Sequence, residues 1–516
     1  MLFRSLRMQD KLKILQLGPS DWSQELPIPE NMDWYYFFPH SQLTIKQVME
    51  SDKIDKFNAI LVDDLSQIPF LFEIQDQITP HTIFYNQEKE TLQEDISYFL
   101  KRYCAQEANM TDRAEFLRKL SKSLFRGQYG DKLSPIDMVV SPCFHGRVCF
   151  NGYENLELEG NFGQDFRPIV SWKYNLVARK ENPIEIWLDY EKDPSCELRL
   201  RIYQLHDGAT SDIAKESVFT EADMQEAIVL DEDFTSFIGI SLEAKGIGIL
   251  KIGSLHQRLT RYEFGKYVLG GKTIRDHRRE EINYFFYPGD FKPPLVVYFS
   301  AYRRVEGFEG FGIMSSLGCP FLMISDQRVE GGMFYLGSQE LEDGIHGIIQ
   351  EHLDLLGFSD RDLVLSGISM GTYAATYYGA GFHPSGIVLC KPLTKLGTIA
   401  QRGRLLAPKV FPPALDMLHR LTGGKDQEHM DELDRRYWKK MEEADFSQTT
   451  FSLAYMKEED YDPTAYEDLV EFLYPSETKL MSNGISGRHN DDWVVVIAWF
   501  MNYHKKILEK EFGRKR

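Results

Sequence analysis

The chain has 516 residues, of which 43% are hydrophobic and 13% aromatic, enough to build several packed cores. That composition excludes a disordered or low-complexity protein. Lys and Arg number 59 against 78 Asp and Glu, a net charge of −19, which excludes a uniformly basic nucleic-acid binder.

Mean hydropathy is −0.36, and no run approaches the roughly 18 apolar residues that a membrane span needs. The N-terminal MLFRSLRMQDKLKILQLG lacks a sustained apolar run and a small-residue cleavage site, so it reads as uncleaved. Cys104, Cys143, Cys149, Cys196, Cys319 and Cys390 are scattered without C-x-x-C spacing. They read as buried free thiols, with no metal site and no disulfide frame. A soluble cytoplasmic protein is expected.

Three zones follow one another, and they predict a multidomain α/β protein. In the first, residues 1–135, KILQLG, FNAILVDD and HTIFYN read as short buried strands. Helical spacing covers Gln42–Ser51 and Glu90–Ala105, so a small Rossmann-like α/β domain is expected. Gly18 after the first strand lacks the rest of a G-x-G-x-x-G, which argues against nucleotide binding. In the second zone, residues 136–280, period-2 runs such as NLELEGNF, PIEIWLDYE and CELRLRIYQL predict an antiparallel β-sandwich. Its Trp172, Trp187, Tyr174, Tyr190 and Tyr203 suit either a sugar-stacking platform or cross-strand core packing.

The third zone, residues 281–516, returns to strand–helix alternation. INYFFYPG, PLVVYFSAY, PFLMISD, DLVLSGISMG, GIVLC and TFSLAYM supply six strands, with helices over Glu340–Gly357 and Thr372–Ala380. A charged helical stretch at about 394–443 interrupts the rhythm. It reads as a cap over a site or as a solvated helix pair.

Gly367-Ile368-Ser369-Met370-Gly371 follows an apolar strand and precedes a small-residue helix. This is the context of the G-x-S-x-G nucleophile elbow of an α/β-hydrolase. Chain order in that fold is Ser, then acid, then His. Of His383, His419, His429, His489 and His504, only His489 lies in a loop directly before a long final helix, which makes it the expected general base. The orienting acid falls in Lys457-Glu458-Glu459-Asp460-Tyr461-Asp462, where spacing alone leaves four carboxylates open. Expected oxyanion donors are the amide of Met370, at the helix start, and one from the Ser300–Tyr302 loop. Arg303 and Arg304 suit either an anionic substrate or the cover of a sheet edge.

The elbow GISMG, the strand and loop YFSAYRRVEGFEGFG, the acidic run YMKEEDYDPTAYEDL, the loop GISGRHNDDW and the N-terminal KILQLGPSDW together resemble the Asp-two family of accessory Sec system proteins. The resemblance extends over essentially the whole chain. It implies export of serine-rich repeat glycoprotein adhesins, with Asp-one, Asp-three, the accessory SecA motor and an accessory SecY channel as partners. It also implies O-acetylation of N-acetylglucosamine on the adhesin, and a peripheral position at the inner membrane face through those partners. The triad it implies is Ser369, Glu459 and His489. Ala301 stands where the family's YFSGYR-like loop has Gly, and its amide is the implied second oxyanion donor. No bound cofactor is implied. The acetyl donor carries no sequence signature, and acetyl-CoA is the candidate. Competing readings are a free-standing carbohydrate esterase and a non-catalytic export scaffold.

Overall fold

The computed structural model describes residues 11–38, 43–86, 93–476 and 478–514. These fall into two compact units. One comprises the chain up to Gly127 together with Thr260–Gly271, and the other comprises Gln128–Leu259 with Lys272 onward.

The first unit holds a five-stranded parallel sheet in the order Met32–Phe37, Leu12–Leu17, Ala59–Val62, Ile83–Tyr85, Gln106–Glu107. The three expected strands lie at its centre. Gln106–Glu107 escapes sequence reading because it is polar and too short for a period, and the aromatic edge strand Met32–Phe37 escapes it as well. The expected helices form as Ile45–Ser51 and Glu94–Arg102; Gln42, residues 90–92 and MLFRSLRMQD lie outside the described residues. Beyond Gly18, Trp22 is fully buried and its indole N–H donates to Asp63 at 3.3 Å. Arg113 pairs with the same carboxylate at 3.0 Å, so side chains occupy this end of the first strand.

In the second unit, strands between Gly130 and Leu259 form one ten-stranded antiparallel sheet. Its longest strand, Ser236–Leu259, pairs with Cys196–His206 up to Gly246 and with Ile184–Lys192 from Leu250. The change of neighbour falls at Gly246-Ile247-Gly248, where the two glycines take φ of 101° and 153°. A Cβ on Gly246 would lie 2.1 Å from the Ser195 carbonyl oxygen, so this bend requires glycine. Leu200 and Ile202 from one half, and Ile186 and Leu188 from the other, meet in a single core. The two expected layers are thus halves of one bent sheet, because its long strands belong to both.

Of the two readings of the second zone's aromatics, core packing accounts for three. Trp172, Trp187 and Tyr190 are buried and Tyr174 is exposed. Trp187 donates its indole N–H to the Arg279 carbonyl at 3.0 Å, with the Arg275 and Arg279 guanidiniums against its ring.

The remaining sheet has eight strands: β1 (Lys272–Arg275), β2 (Glu281–Tyr287), β3 (Leu295–Phe299), β4 (Phe321–Asp326), β5 (Leu363–Ile368), β6 (Gly386–Cys390), β7 (Thr450–Met456) and β8 (Lys479–Ile485). Their order is β1-β2-β4-β3-β5-β6-β7-β8. β1 and β2 run antiparallel to their neighbours, and the rest are parallel. Every residue of β3, β5 and β6 is buried, as a sheet covered on both faces requires. Helices α1 (Phe311–Ser315), α2 (Gln339–Leu356), α3 (Met370–Gly379), α4 (Leu396–Leu405), α5 (Ala414–Thr422), α6 (Gln427–Glu442), α7 (Ala465–Leu473) and α8 (Trp493–Phe512) complete the fold. The charged insert is α4–α6, three helices rather than a pair. Within α6, Leu433, Tyr437 and Met441, spaced four apart, form a fully buried stripe, and Tyr437 donates to Thr376 of α3 at 2.8 Å.

A buried charge network joins the bent sheet to this one. His256 bonds Glu306 through Nδ1 and Asp189 through Nε2, the latter at 2.9 Å. Arg258 reaches Glu306 at 2.7 Å and Glu281 at 2.6 Å. Burial disfavours the His256 cation, but Asp189 and Glu306 outweigh it and hold its pKa up at about 9. The unfolded value is about 6.5, so protonated His256 stabilises the fold fully below that pH, and this stabilisation is lost as pH rises through about 9. Thermal unfolding should therefore shift to lower temperature across that window, and His256→Gln should flatten the dependence. Equal slopes in the two proteins would refute the assignment.

Candidate active site

Ser369 sits between β5 and α3 with φ 54° and ψ −120°. A non-glycine residue there costs on the order of 1–3 kcal/mol and persists only where its surroundings enforce it. Both flanking glycines do so by absence. A Cβ on Gly367 would lie 2.2 Å from the Gly371 backbone, and one on Gly371 would lie 2.0 Å from the Phe299 carbonyl oxygen. The helix can therefore start directly over the ends of β3 and β5, which places the Ser369 hydroxyl at the carboxyl edge of the sheet. The Ser369 amide donates to the Cys390 carbonyl at 2.9 Å, and the Thr372 hydroxyl donates back to the Ser369 carbonyl at 2.6 Å.

The structure brings Ser369, His489 and Glu459 together. Ser369 Oγ lies 2.7 Å from His489 Nε2, and His489 Nδ1 lies 2.9 Å from both Glu459 carboxylate oxygens. His489 is almost fully buried. With Nδ1 donating to the carboxylate, Nε2 is left as the acceptor facing the serine.

The four acids after β7 take four separate places. Glu458 accepts the Gly487 amide, Glu459 takes the imidazole, and Asp460 accepts the His489 amide at 3.1 Å. Asp462 is buried under the start of the insert and accepts the amides of Thr394 and Lys395 at 2.7 and 2.9 Å. Sequence reasoning missed Tyr461, whose ring stacks on His489 with centroids 4.2 Å apart, and whose hydroxyl accepts from Asn490 at 2.7 Å. Its place within the acidic run was the only signal available.

The loop after β3 departs from expectation. The Ala301 amide donates to Glu309 Oε1 at 2.6 Å, and the Tyr298 hydroxyl bonds the same oxygen at 3.1 Å. The amide expected to serve an oxyanion is thus committed to a carboxylate, whose pKa burial pushes above the usual range. Met370, at the first position of α3, keeps an amide with no intrahelical acceptor. Arg303 donates to the Phe308 carbonyl at 3.2 Å and Arg304 pairs with Glu330 at 3.3 Å, so both are used within the chain. The other histidines lie elsewhere: His419 bonds Glu154, His429 bonds Asp426, His383 donates its amide to Asp360, and His504 is buried in α8. Among the described residues no cluster of His, Cys, Asp or Glu forms a metal site.

A family profile described as Accessory Sec system GspB-transporter matches residues 12–514. The chain belongs to the Asp-two family of accessory Sec system proteins. The family member from Streptococcus gordonii is 71% identical over 99% of this chain and all of that protein. The one from Staphylococcus aureus (strain NCTC 8325 / PS 47) is 36% identical over 98% of both. A solved structure, the Glycosylation Associate Protein (Gap123) complex from Streptococcus agalactiae, matches with a TM-score of 0.94 at 38% identity, covering 98% of this chain and 100% of that one.

Gly371→Ala should destabilise the protein by about 3 kcal/mol in denaturant titration, because the clash is with backbone. Gly347→Ala, in α2 with open space around its Cβ position, should instead stabilise by about 0.5–1 kcal/mol. Equal effects would mean that close approach does not constrain the elbow.

Proposed function

We propose that this protein is a serine-dependent sugar O-acetyltransferase acting within the accessory Sec system, on N-acetylglucosamine of a serine-rich repeat glycoprotein adhesin before export. The observation that carries the enzymatic half is the hydrogen-bonded chain from Ser369 through His489 to Glu459, on a strained elbow. As Ser369 Oγ attacks the acetyl carbonyl of the donor, His489 Nε2 takes its proton. Glu459 stays ionised and stabilises the imidazolium. The Met370 amide, at the positive end of α3, supports the tetrahedral oxyanion. Collapse expels the donor's leaving group with the proton from His489 and leaves acetyl-Ser369. A sugar hydroxyl then gives its proton to His489 and attacks the acetyl carbon. Collapse of the second tetrahedral species returns the proton to Ser369 and releases the O-acetyl sugar.

Family membership supports the export half, and the likeness to a chain of the Gap123 complex supports the reading that this chain works in an assembly. We take Asp-one, Asp-three and the accessory SecA motor as its partners from the family resemblance. A net charge of −19 disfavours direct adhesion to anionic lipid, so any membrane association comes through those partners. Among the described residues no helix is long and apolar enough to cross a membrane.

Ser369→Ala and His489→Ala should each reduce acyl transfer by about 10⁶ while the protein stays folded. Glu459→Gln should cost about 10⁴, since a neutral amide no longer supports the imidazolium. Mass spectrometry of the glycosylated adhesin reads the result: acetylated glycoforms that persist in Ser369→Ala cells would end the enzyme reading. Deleting the whole protein should stop adhesin secretion, whereas Ser369→Ala should permit secretion of under-acetylated adhesin. Normal secretion after deletion would end the export reading.

A further inference from the structure

Lys391 follows β6 directly and takes φ 57°, a left-handed conformation that a lysine adopts only under constraint. Its amide donates to the Ala454 carbonyl of β7 at 2.8 Å, and its side chain is 0% exposed. The ammonium group donates to the main-chain carbonyls of His489 and Asp491, the latter at 2.8 Å, and stands 4.1 Å from the centre of the Trp493 ring at the start of α8. A buried ammonium is expensive unless fully partnered. Here two carbonyls and an aromatic face supply the partners, with Glu459, Asp491 and Asp492 as the surrounding negative charges. Burial still pulls the lysine's pKa below its ordinary value.

The contacts are distributed in a way that packing alone does not explain. Both hydrogen bonds of the ammonium group and its ring contact fall on the segment that begins with His489 and ends at the first residue of α8. One carbonyl belongs to His489 itself, so the ammonium group holds that residue's main chain. Glu459 and Tyr461 meanwhile fix its ring. Asp460 holds the amide of the same residue. His489 is thus held at N–H, at C=O and at the ring, and among the described residues Lys391, directly after β6, supplies the hold on its carbonyl.

We propose that Lys391 is a positioning residue for the general base, tying the His489 loop to the carboxyl edge of β6 so that Nε2 stays within bonding distance of Ser369. This rests on the triad reading given above. Lys391→Met keeps the aliphatic stem and removes the donors, leaving the two carbonyls unbound. The loop should then sample positions in which Nε2 and Oγ are about an ångström too far apart, a displacement that can cost about 100-fold in rate.

The test uses the full chain and a fluorophosphonate probe, which reacts covalently with an activated serine. For Lys391→Met the maximal inactivation rate kinact should fall about 100-fold while the half-saturating probe concentration KI stays unchanged. Hydrogen–deuterium exchange should rise over Gly487–Trp493 and not over β5. A general loss of structure would instead raise exchange throughout. Trp493→Leu, at a 40% exposed position, keeps the lysine and removes the aromatic face; it should lower kinact about tenfold, and it serves if Lys391→Met does not fold. Wild-type kinact in a folded Lys391→Met, or in Trp493→Leu if the methionine variant fails to fold, would overturn the proposal. So would a raised KI with unchanged kinact. Wild-type protein that the probe labels no faster than Ser369→Ala would overturn the triad reading and this one together.

Discussion

The site depends on a backbone conformation that one residue would not choose for itself. Ser369 holds φ 54° only because Gly367 and Gly371 leave room for the chain to turn from strand to helix within van der Waals range of Phe299. Relax that turn and the hydroxyl drops back into the sheet, away from His489. The strain is sustained by burial around it. α3 is buried along its whole length, and β3, β5 and β6 are buried at every position, so no local movement can release the turn cheaply.

Glu459 and His489 are held differently, by charge and hydrogen bonds on loops. One six-residue run spreads its carboxylates over the Gly487 amide, the imidazole, the His489 amide and the start of the insert. The loop after β3 is held by two glutamates. Glu306 is locked by His256 and Arg258 of the bent sheet, and Glu309 accepts the Ala301 amide. Rigid strands fix Ser369, and paired carboxylates fix what surrounds it. Such groups are destabilising if one partner is lost, so each loop has a defined position.

What the sequence made legible follows from which forces act locally. The interior strands of both α/β sheets could be read because a short apolar run between turn residues has few other fates, and the elbow because its glycines and flanking elements are contiguous. Edge strands such as Gln106–Glu107 and Lys479–Ile485 lacked that contrast. The meeting of Ser369, Glu459 and His489 could be expected from chain order for two residues and only from family resemblance for the third. Choosing among adjacent carboxylates requires knowing where each loop residue points. The Ala301 amide was misjudged for a related reason: its acceptor, Glu309, lies eight residues on, and no periodic pattern announces a carboxylate folding back on a loop. Which of the second zone's aromatics pack inward was not legible either, because the arginine partners of Trp187 and Tyr190 lie far along the chain.

The insert shows why the bent sheet belongs to the candidate site's architecture and not to a module merely attached to it. Arg420 of α5 meets Glu191 at 2.7 Å, Glu280 at 3.0 Å and Glu154 at 3.7 Å, two of them from the bent sheet and one from the turn before β2. Beside it, Asp416 accepts the Tyr153 amide at 2.8 Å and His419 bonds Glu154 at 2.7 Å. A Cβ on Gly152 would lie 2.3 Å from Asp416, so the turn that grips the helix cannot carry a side chain there. On its other side the insert touches the site: Phe411 packs edge-on against Tyr302 in the loop after β3, and Asp462 caps the segment leading into α4. A guanidinium only 12% exposed and shared among three carboxylates cannot lose one of them without leaving charge unpaired in a dry setting. The insert's position is therefore set jointly by the bent sheet and the eight-stranded sheet, and a change in either reaches Tyr302 through a continuous series of packed and charged contacts.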